Sequence, residues 1–187
     1  MKKNILAVSA CLKRCSVAFL YEEKIYEVNE CIDAAANLVW LADDLAKTNN
    51  IDFRKIDGVI SASGPGSFTG IRAAQSFAKG FAMSLKLPSV GVSYFDVIRK
   101  IYVPGDVLSV VLINGENDKI YYKIGDDFGA ATAESLRDKI PNEAVLVGDA
   151  VDAFSGIIPV TDFRDAKHLF HFSDLITTES EISPLYT

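Results

Sequence analysis

The stretch from Gly58 to Arg72, with the sequence GVISASGPGSFTGIR, decides the fold of this 187-residue chain. Its β-branched start predicts a buried strand. The three glycines that follow predict a tight turn, because glycine permits backbone conformations and close approaches that a Cβ atom forbids. Ser67 or Thr69 can cap the next helix by accepting hydrogen bonds from its first turn. A strand that enters a helix through glycines is a common way to build an anion site.

The turn does not match the better-known ligand-binding motifs. A Walker A loop has lysine after its last glycine, whereas Ile71 follows Gly70 here, and Thr69 stands where a dinucleotide fingerprint has its third glycine. A nucleophile elbow has glycine two residues to either side of its serine, but Ser67 is flanked there by Pro65 and Thr69. From spacing alone, a phosphate site and a turn without a ligand both remain open.

The centre of this stretch resembles the GPGSFTGLR signature of the bacterial TsaB (YeaZ) family. That family belongs to the actin/Hsp70-like ATPase fold group and is related to the Gcp/Kae1 glycoprotease family. Segments 5–8, 87–93, 146–150 and 183–186 are also similar to the family, in the same order. The resemblance makes the following residues the candidate loop, called the signature loop below: Gly64, Pro65, Gly66, Ser67, Phe68, Thr69, Gly70 and Arg72. Because a cation opposes the dipole of a helix's first turn, we expect Arg72 to pair with an acidic residue or a partner's carbonyl group.

The order of predicted elements indicates an α/β protein with two lobes. Strands at 4–8, 16–21 and 24–30 precede a helix at 33–47, a strand at 56–61, a helix at 71–85 and a strand at 90–92. This is the order of the ribonuclease-H-like lobe on which the actin/Hsp70-like ATPase fold is built. Pro104-Gly105 is a plausible boundary. We therefore predict an N-terminal lobe over residues 1–103 and a smaller C-terminal α/β lobe over residues 104–187, with a hairpin around Asn114-Gly115.

Composition favours a cytoplasmic protein without a nucleic-acid surface of its own. The net charge of −6 argues against an extended phosphate-binding face. No apolar run approaches the roughly 18 residues of a membrane span, and the basic start is too short and mixed for a signal peptide. The three cysteines, Cys11, Cys15 and Cys31, are an odd set that indicates reduced thiols. Neither these cysteines nor the pair His168 and His171 completes a four-ligand metal set.

The two long helices provide the candidate interaction surface. The first carries an apolar arc that is wider than packing on one sheet requires. The second has a strip of small residues beside its core stripe, called the small-residue strip below: Ala73, Ser76, Gly80 and Ser84. The helices could pack only on each other, or they could meet the helices of a partner. The resemblance implies the second, because TsaB pairs with TsaD, and we predict an interface formed by Ala35, Leu38, Val39, Ala42 and the strip.

Departures from the family pattern disfavour catalysis. Ser9 stands where an actin-like ATPase has an acidic residue, and Ile113-Asn114-Gly115-Glu116 replaces a family stretch that resembles Ile-Asp-Ala-Arg. Metal-dependent phosphate chemistry needs oxygen ligands, typically carboxylates. The metal-binding histidine motif of the related catalytic family is also missing, since Ala34-Ala35-Ala36 holds no histidine. We therefore predict no catalytic residue, no cofactor and no metal, which disfavours a peptidase or a complete ATPase.

The resemblance thus implies a non-catalytic subunit that supports threonylcarbamoyl transfer to the adenosine beside the anticodon of tRNA. Its expected partner is a TsaD-like enzyme in a heterodimer, with a TsaE-like ATPase as a further candidate, and tRNA is reached only through the complex. Alone, the chain is expected to form a homodimer. The alternatives are a small-molecule kinase or ATPase of actin-like fold that holds phosphate in the signature loop, and a free-standing homodimer.

Overall fold

The chain forms two compact units. The computed structural model describes residues 3–30, 34–150, 154–155, 157–160, 162–177 and 182, with backbone alone at 30, 34–36 and 157. The first unit comprises Met1–Ser93 with Arg164–Leu185, and the second comprises Tyr94–Phe163 with Tyr186–Thr187. The predicted lobes were 1–103 and 104–187. The division differs because the helix after Ser93 joins the second unit and the segment from Arg164 returns to the first.

The first unit is built on a five-stranded sheet with the order β3-β2-β1-β4-β5. The first three strands are antiparallel neighbours, whereas β4 and β5 continue the sheet in parallel. Its elements are β1 (Ile5–Ser9), β2 (Cys15–Tyr21), β3 (Lys24–Glu30), α1 (Ala34–Thr48), β4 (Gly58–Gly64), α2 (Phe68–Leu85) and β5 (Ser89–Ser93).

Both faces of this sheet are covered, so its central strands are buried throughout. Every residue of β1 and β4 is buried, as expected for strands that lack a solvent face. On one face, Leu6, Val17 and Phe19 pack against α1 and α2. The 3-10 segment Ala166–Leu175 also packs on the central strands. It is held to β2 where Ala166 N donates to Ser16 Oγ at 2.7 Å.

The second unit has a sheet with the same arrangement, in the order β10-β9-β6-β7-β8. Here too, three antiparallel strands are followed by two parallel ones. Its elements are α3 (Tyr94–Tyr102), β6 (Ser109–Asn114), β7 (Ile120–Ile124), β8 (Asp127–Ala131), α4 (Ala133–Arg137), β9 (Val145–Gly148) and β10 (Ile157–Pro159). Two sheets of this topology confirm the predicted α/β fold and its ribonuclease-H-like lobe.

Several details differ from the prediction. The strands β8 and β10 were not predicted, because Asp127–Ala131 contains a glycine and no alternation, and Ile157–Pro159 is only three residues long. The hairpin turn expected at Asn114-Gly115 is a longer loop that Gly115 N closes by donating to Lys119 O at 2.9 Å. The predicted first residue of the helix at 33–47 lies outside the described residues. Within the described ranges, no helix combines the length and apolar character that a membrane span requires.

Candidate functional site

The signature loop joins β4 to α2 as predicted, and its glycines face protein. Ser67 is the N-cap of α2, and its Oγ accepts from Gly70 N at 3.4 Å. A Cβ placed on Gly70 would lie 1.9 Å from Ala10 O. A Cβ on Gly66, whose φ is +143°, would lie 2.7 Å from Leu12 N. The loop and the start of α2 therefore rest directly on the turn between β1 and β2.

This close packing explains the glycines without a ligand. Glycine is required where two backbones approach more closely than a side chain allows, and here the second backbone is that of Ala10 to Leu12. A phosphate chain held between the signature loop and the β1–β2 turn would need space that the two backbones fill. Packing therefore accounts for these two glycines, and the absence of a ligand at this turn stays a prediction.

The polar groups at the end of β1 are also engaged within the protein. Ser9, which stands at the expected acidic position, is fully buried, and its Oγ accepts from Cys11 N at 3.4 Å. Cys11 is buried as well, and burial raises the pKa of its thiol to about 12. A thiol with this pKa stays protonated at neutral pH and is a poor nucleophile or metal ligand.

The second expected departure, Asn114, lies at the end of β6 and contacts the neighbouring parallel strand. Its backbone N–H donates to Asp149 Oδ1 at 2.7 Å, and its side-chain amide donates to Asp149 O. The carboxylate of Asp149 thus bonds to the backbone of the adjacent strand. The pair fixes the ends of β6 and β9 where a family acid would have stood.

Two exposed residues of the signature loop form a stacked pair. The guanidinium carbon of Arg72 lies 3.7 Å from the centre of the Phe68 ring, a distance at which the cation is attracted to the ring face. Phe68 is 52% exposed, and Ser67 and Thr69 beside it are also exposed. Pairing of Arg72 with an acidic residue or a partner's carbonyl group stays a prediction.

The two long helices pack on each other in the core of the first unit. Leu38 and Ala42 are only 1% and 2% exposed, and both belong to this core. The sequence pattern places both residues on the apolar arc of α1 but does not show that the core of the first unit covers them. Their place in a partner interface stays a prediction. The side chain of Ala35 lies outside the described residues.

Four of the other predicted interface residues of α1 and α2 face outward. Ser76, Gly80 and Ser84 are exposed, whereas Ala73 is half-buried against the core. A Cβ on Gly80 would meet no atom within 4 Å. Val39 is 63% exposed, so it remains available to a partner. Three members of the small-residue strip and one residue of α1 therefore present an open surface.

An aromatic groove of about 490 Å³ lies between these helices. Trp40, 59% exposed, stands at its edge, and the ring centres of Phe53 and Phe81 are 5.3 Å apart in an edge-to-face contact. The groove, named the helix groove below, is lined by Val39, Trp40, Ala42, Asp43, Phe53, Phe77 and Phe81. Sequence analysis missed it as a site. The signal was Trp40, an aromatic residue on the polar side of α1, but Phe53 reaches the groove only through the tertiary fold.

Comparison with solved structures places this fold in a known class. The structure titled YeaZ from Pseudomonas aeruginosa superposes with a TM-score of 0.74 at 19% identity, over 100% of both chains. Together with the two related sheets, this shows an α/β protein with the same fold as that structure, which fits the predicted actin/Hsp70-like ATPase fold.

Comparison with sequences identifies the family. A family model described as TsaD, tRNA N6-adenosine threonylcarbamoyltransferase, matches residues 33–173. The chain belongs to this family, as one of its TsaB (YeaZ) members.

Two of the curated relatives are named tRNA threonylcarbamoyladenosine biosynthesis protein TsaB. The relative from Buchnera aphidicola subsp. Acyrthosiphon pisum (strain APS) is 29% identical over 129 residues, which are 65% of this chain and 57% of the relative. The relative from Haemophilus influenzae is 25% identical over 138 residues, which are 67% of this chain and 58% of the relative. The chain thus spans about half the length of the curated relatives that it matches.

Proposed function

We propose that this chain is a non-catalytic subunit in the synthesis of threonylcarbamoyladenosine in tRNA, and that it acts by pairing with a TsaD-like enzyme. The names of its curated relatives support the pathway. One structural observation carries the pairing: α1 and α2 expose an apolar groove and a strip without bulky side chains, although both helices are already packed on their own sheet. Reaction chemistry and tRNA contact then belong to the partner.

The surface has the features of a helix-packing interface. Interfaces concentrate their binding energy in buried aromatic anchors, and Trp40 offers such an anchor beside the helix groove. Helices approach to about 8–10 Å where their contacting side chains are small, as along Ser76, Gly80 and Ser84. The charged residue among the groove lining, Asp43, pairs with Lys47 at 2.6 Å and so leaves the groove largely apolar.

The experiment is reconstitution with the TsaD-like protein of the same organism. The two purified chains are mixed and analysed by size-exclusion chromatography with light scattering. A peak with the summed mass is expected, and the chain alone is expected as a homodimer that dissociates when the partner is added. A TsaE-like ATPase and tRNA are expected to join only when both chains are present. Two chains that elute separately at micromolar concentration would contradict the pairing.

Nucleotide binding distinguishes the proposed function from the kinase or ATPase alternative. The alternative requires that ATP–Mg²⁺ binds, whereas the proposed function predicts that it does not. Because the backbones of Gly66 and Gly70 contact the β1–β2 turn, the chain should give no calorimetric heat with ATP–Mg²⁺, which corresponds to a Kd weaker than about 1 mM. Micromolar binding that is lost in Thr69→Ala, an exposed loop position, would favour the alternative. Gly66→Leu is unsuitable as the test variant, because the φ of +143° and the contact with Leu12 N would strain the fold.

We further propose that the chain works in the cytoplasm, in line with its reduced thiols. Cys11 and Cys15 are both buried, and neither is part of a disulfide bond, which agrees with a reducing compartment. A fractionation experiment with antibodies against the native protein tests this location.

A further inference from the structure

The second unit contains a pocket that the proposed function does not use. Its volume is about 410 Å³, which is within the size range of small-molecule sites. Phe95 and Val111, both buried, form an apolar floor, and the exposed Val107 and Leu108 extend it. The pocket is therefore large enough for a molecule of about ten heavy atoms and apolar enough to hold a hydrocarbon portion.

Arg99 provides a positive charge in the pocket wall without a counter-ion. Its two terminal nitrogens donate to Val103 O at 3.4 Å and to Gly105 O at 3.1 Å. Among the residues that the structure describes, no carboxylate lies within ion-pair distance of its guanidinium. Two neutral carbonyl groups orient the guanidinium but leave its charge unbalanced, and Arg is well suited to bind a carboxylate through two parallel hydrogen bonds.

The other charged groups of the pocket do not neutralise the guanidinium of Arg99. Asp96 and Lys123 neutralise each other across 2.7 Å. Asp106 is exposed, so water screens its effect on the pocket interior. Among the described lining residues, Arg99 is therefore the one cation whose charge a ligand can balance, which favours a singly charged anion over phosphate.

A serine residue also lines the pocket. Ser109, at the start of β6, lines the pocket and is only 9% exposed. Within the described part of the chain, its Oγ has no hydrogen-bond partner. Because Ser109 lines the pocket, its hydroxyl group can donate a hydrogen bond to an oxygen atom of a bound ligand.

We propose that this pocket binds a small-molecule monocarboxylate with an apolar tail. The carboxylate accepts hydrogen bonds from Arg99 and Ser109, and the tail lies on Phe95 and Val111. The site is independent of the helix groove, because all its lining residues belong to Tyr94–Phe163. Binding here would make the chain responsive to a metabolite. This proposal does not depend on the proposed pairing with a TsaD-like enzyme.

The test is a titration of the full chain with phenylacetate, followed by amide NMR. Shifts at Ser109, Val111 and Lys123 are expected, with a Kd on the order of 1 mM, as suits a ligand of about ten heavy atoms. Phenylacetamide has the same shape without the charge, and it should bind at least about tenfold more weakly because a charge-assisted bond is lost. Equal binding of the two compounds, or no shift in the pocket at about 10 mM, would overturn the proposal.

Two variants separate the role of each group from folding. Arg99→Gln should weaken phenylacetate at least about tenfold and leave phenylacetamide unchanged, and Ser109→Ala should weaken phenylacetate about threefold. The matched control is Arg137→Gln, which removes one positive charge of the same unit outside the pocket lining. Full binding by Arg99→Gln, or a loss in Arg137→Gln as large as in Arg99→Gln, would contradict the assignment.

Discussion

Gly70→Ala is expected to lower the free energy of unfolding by about 3 kcal/mol, at the upper end of overpacking costs. The new Cβ would lie 1.9 Å from Ala10 O. Both atoms belong to rigid elements, the first turn of α2 and the end of β1, so neither can move aside as a flexible side chain would. The start of α2 must shift away from the sheet, which disrupts the signature loop and the core beneath it.

The same helix supplies a matched control with the opposite sign. Gly80→Ala introduces an identical methyl group into α2, but its Cβ has no atom within 4 Å. Alanine is a better helix former than glycine by about 0.5–1 kcal/mol, so this variant should be slightly more stable than the parent chain. Urea unfolding followed by circular dichroism measures both variants. Equal stability of Gly70→Ala and the parent would show that α2 can withdraw from Ala10 at no cost.

Gly66 and Gly70 show which features of the structure can be predicted from the sequence. The pattern GVISASGPGSFTGIR predicted a strand, a turn and a helix correctly, because glycine and β-branched residues have strong local preferences. It could not show that Gly66 and Gly70 face the β1–β2 turn, since that contact joins residues more than fifty positions apart. A phosphate and a second backbone impose the same requirement for glycine, and only the tertiary structure distinguishes them.

The interface residues were predictable to a different degree on each helix. On α2, the strip and the core stripe occupy separate sides, and the structure places Ser76, Gly80 and Ser84 outside. On α1, the apolar arc is so wide that residue spacing alone could not separate its buried part from its exposed part. Tertiary packing buries Leu38 and leaves Val39 open, and only the position of α2 decides between such neighbours.

Gly80→Leu is expected to weaken binding of the TsaD-like partner by at least about 30-fold, which is the scale of an interface hot spot. A leucine side chain here projects from the small-residue strip and would hold a packed helix away from Ser76 and Ser84. The homodimer of the isolated chain should be lost as well, because an isologous contact through this strip would carry the new leucine on both subunits. The Cβ of this position has open space, so the monomer should remain folded.

Size-exclusion chromatography with light scattering measures the complex, and circular dichroism verifies that the variant is folded. Arg137→Leu is the matched control, because it places leucine on an exposed helical position of the other unit and should leave both assemblies intact. Unfolding of Gly80→Leu would mean that the strip belongs to the core, against its observed exposure. A folded variant that still binds the partner with full affinity would place the interface elsewhere, and the helix groove would then have another occupant.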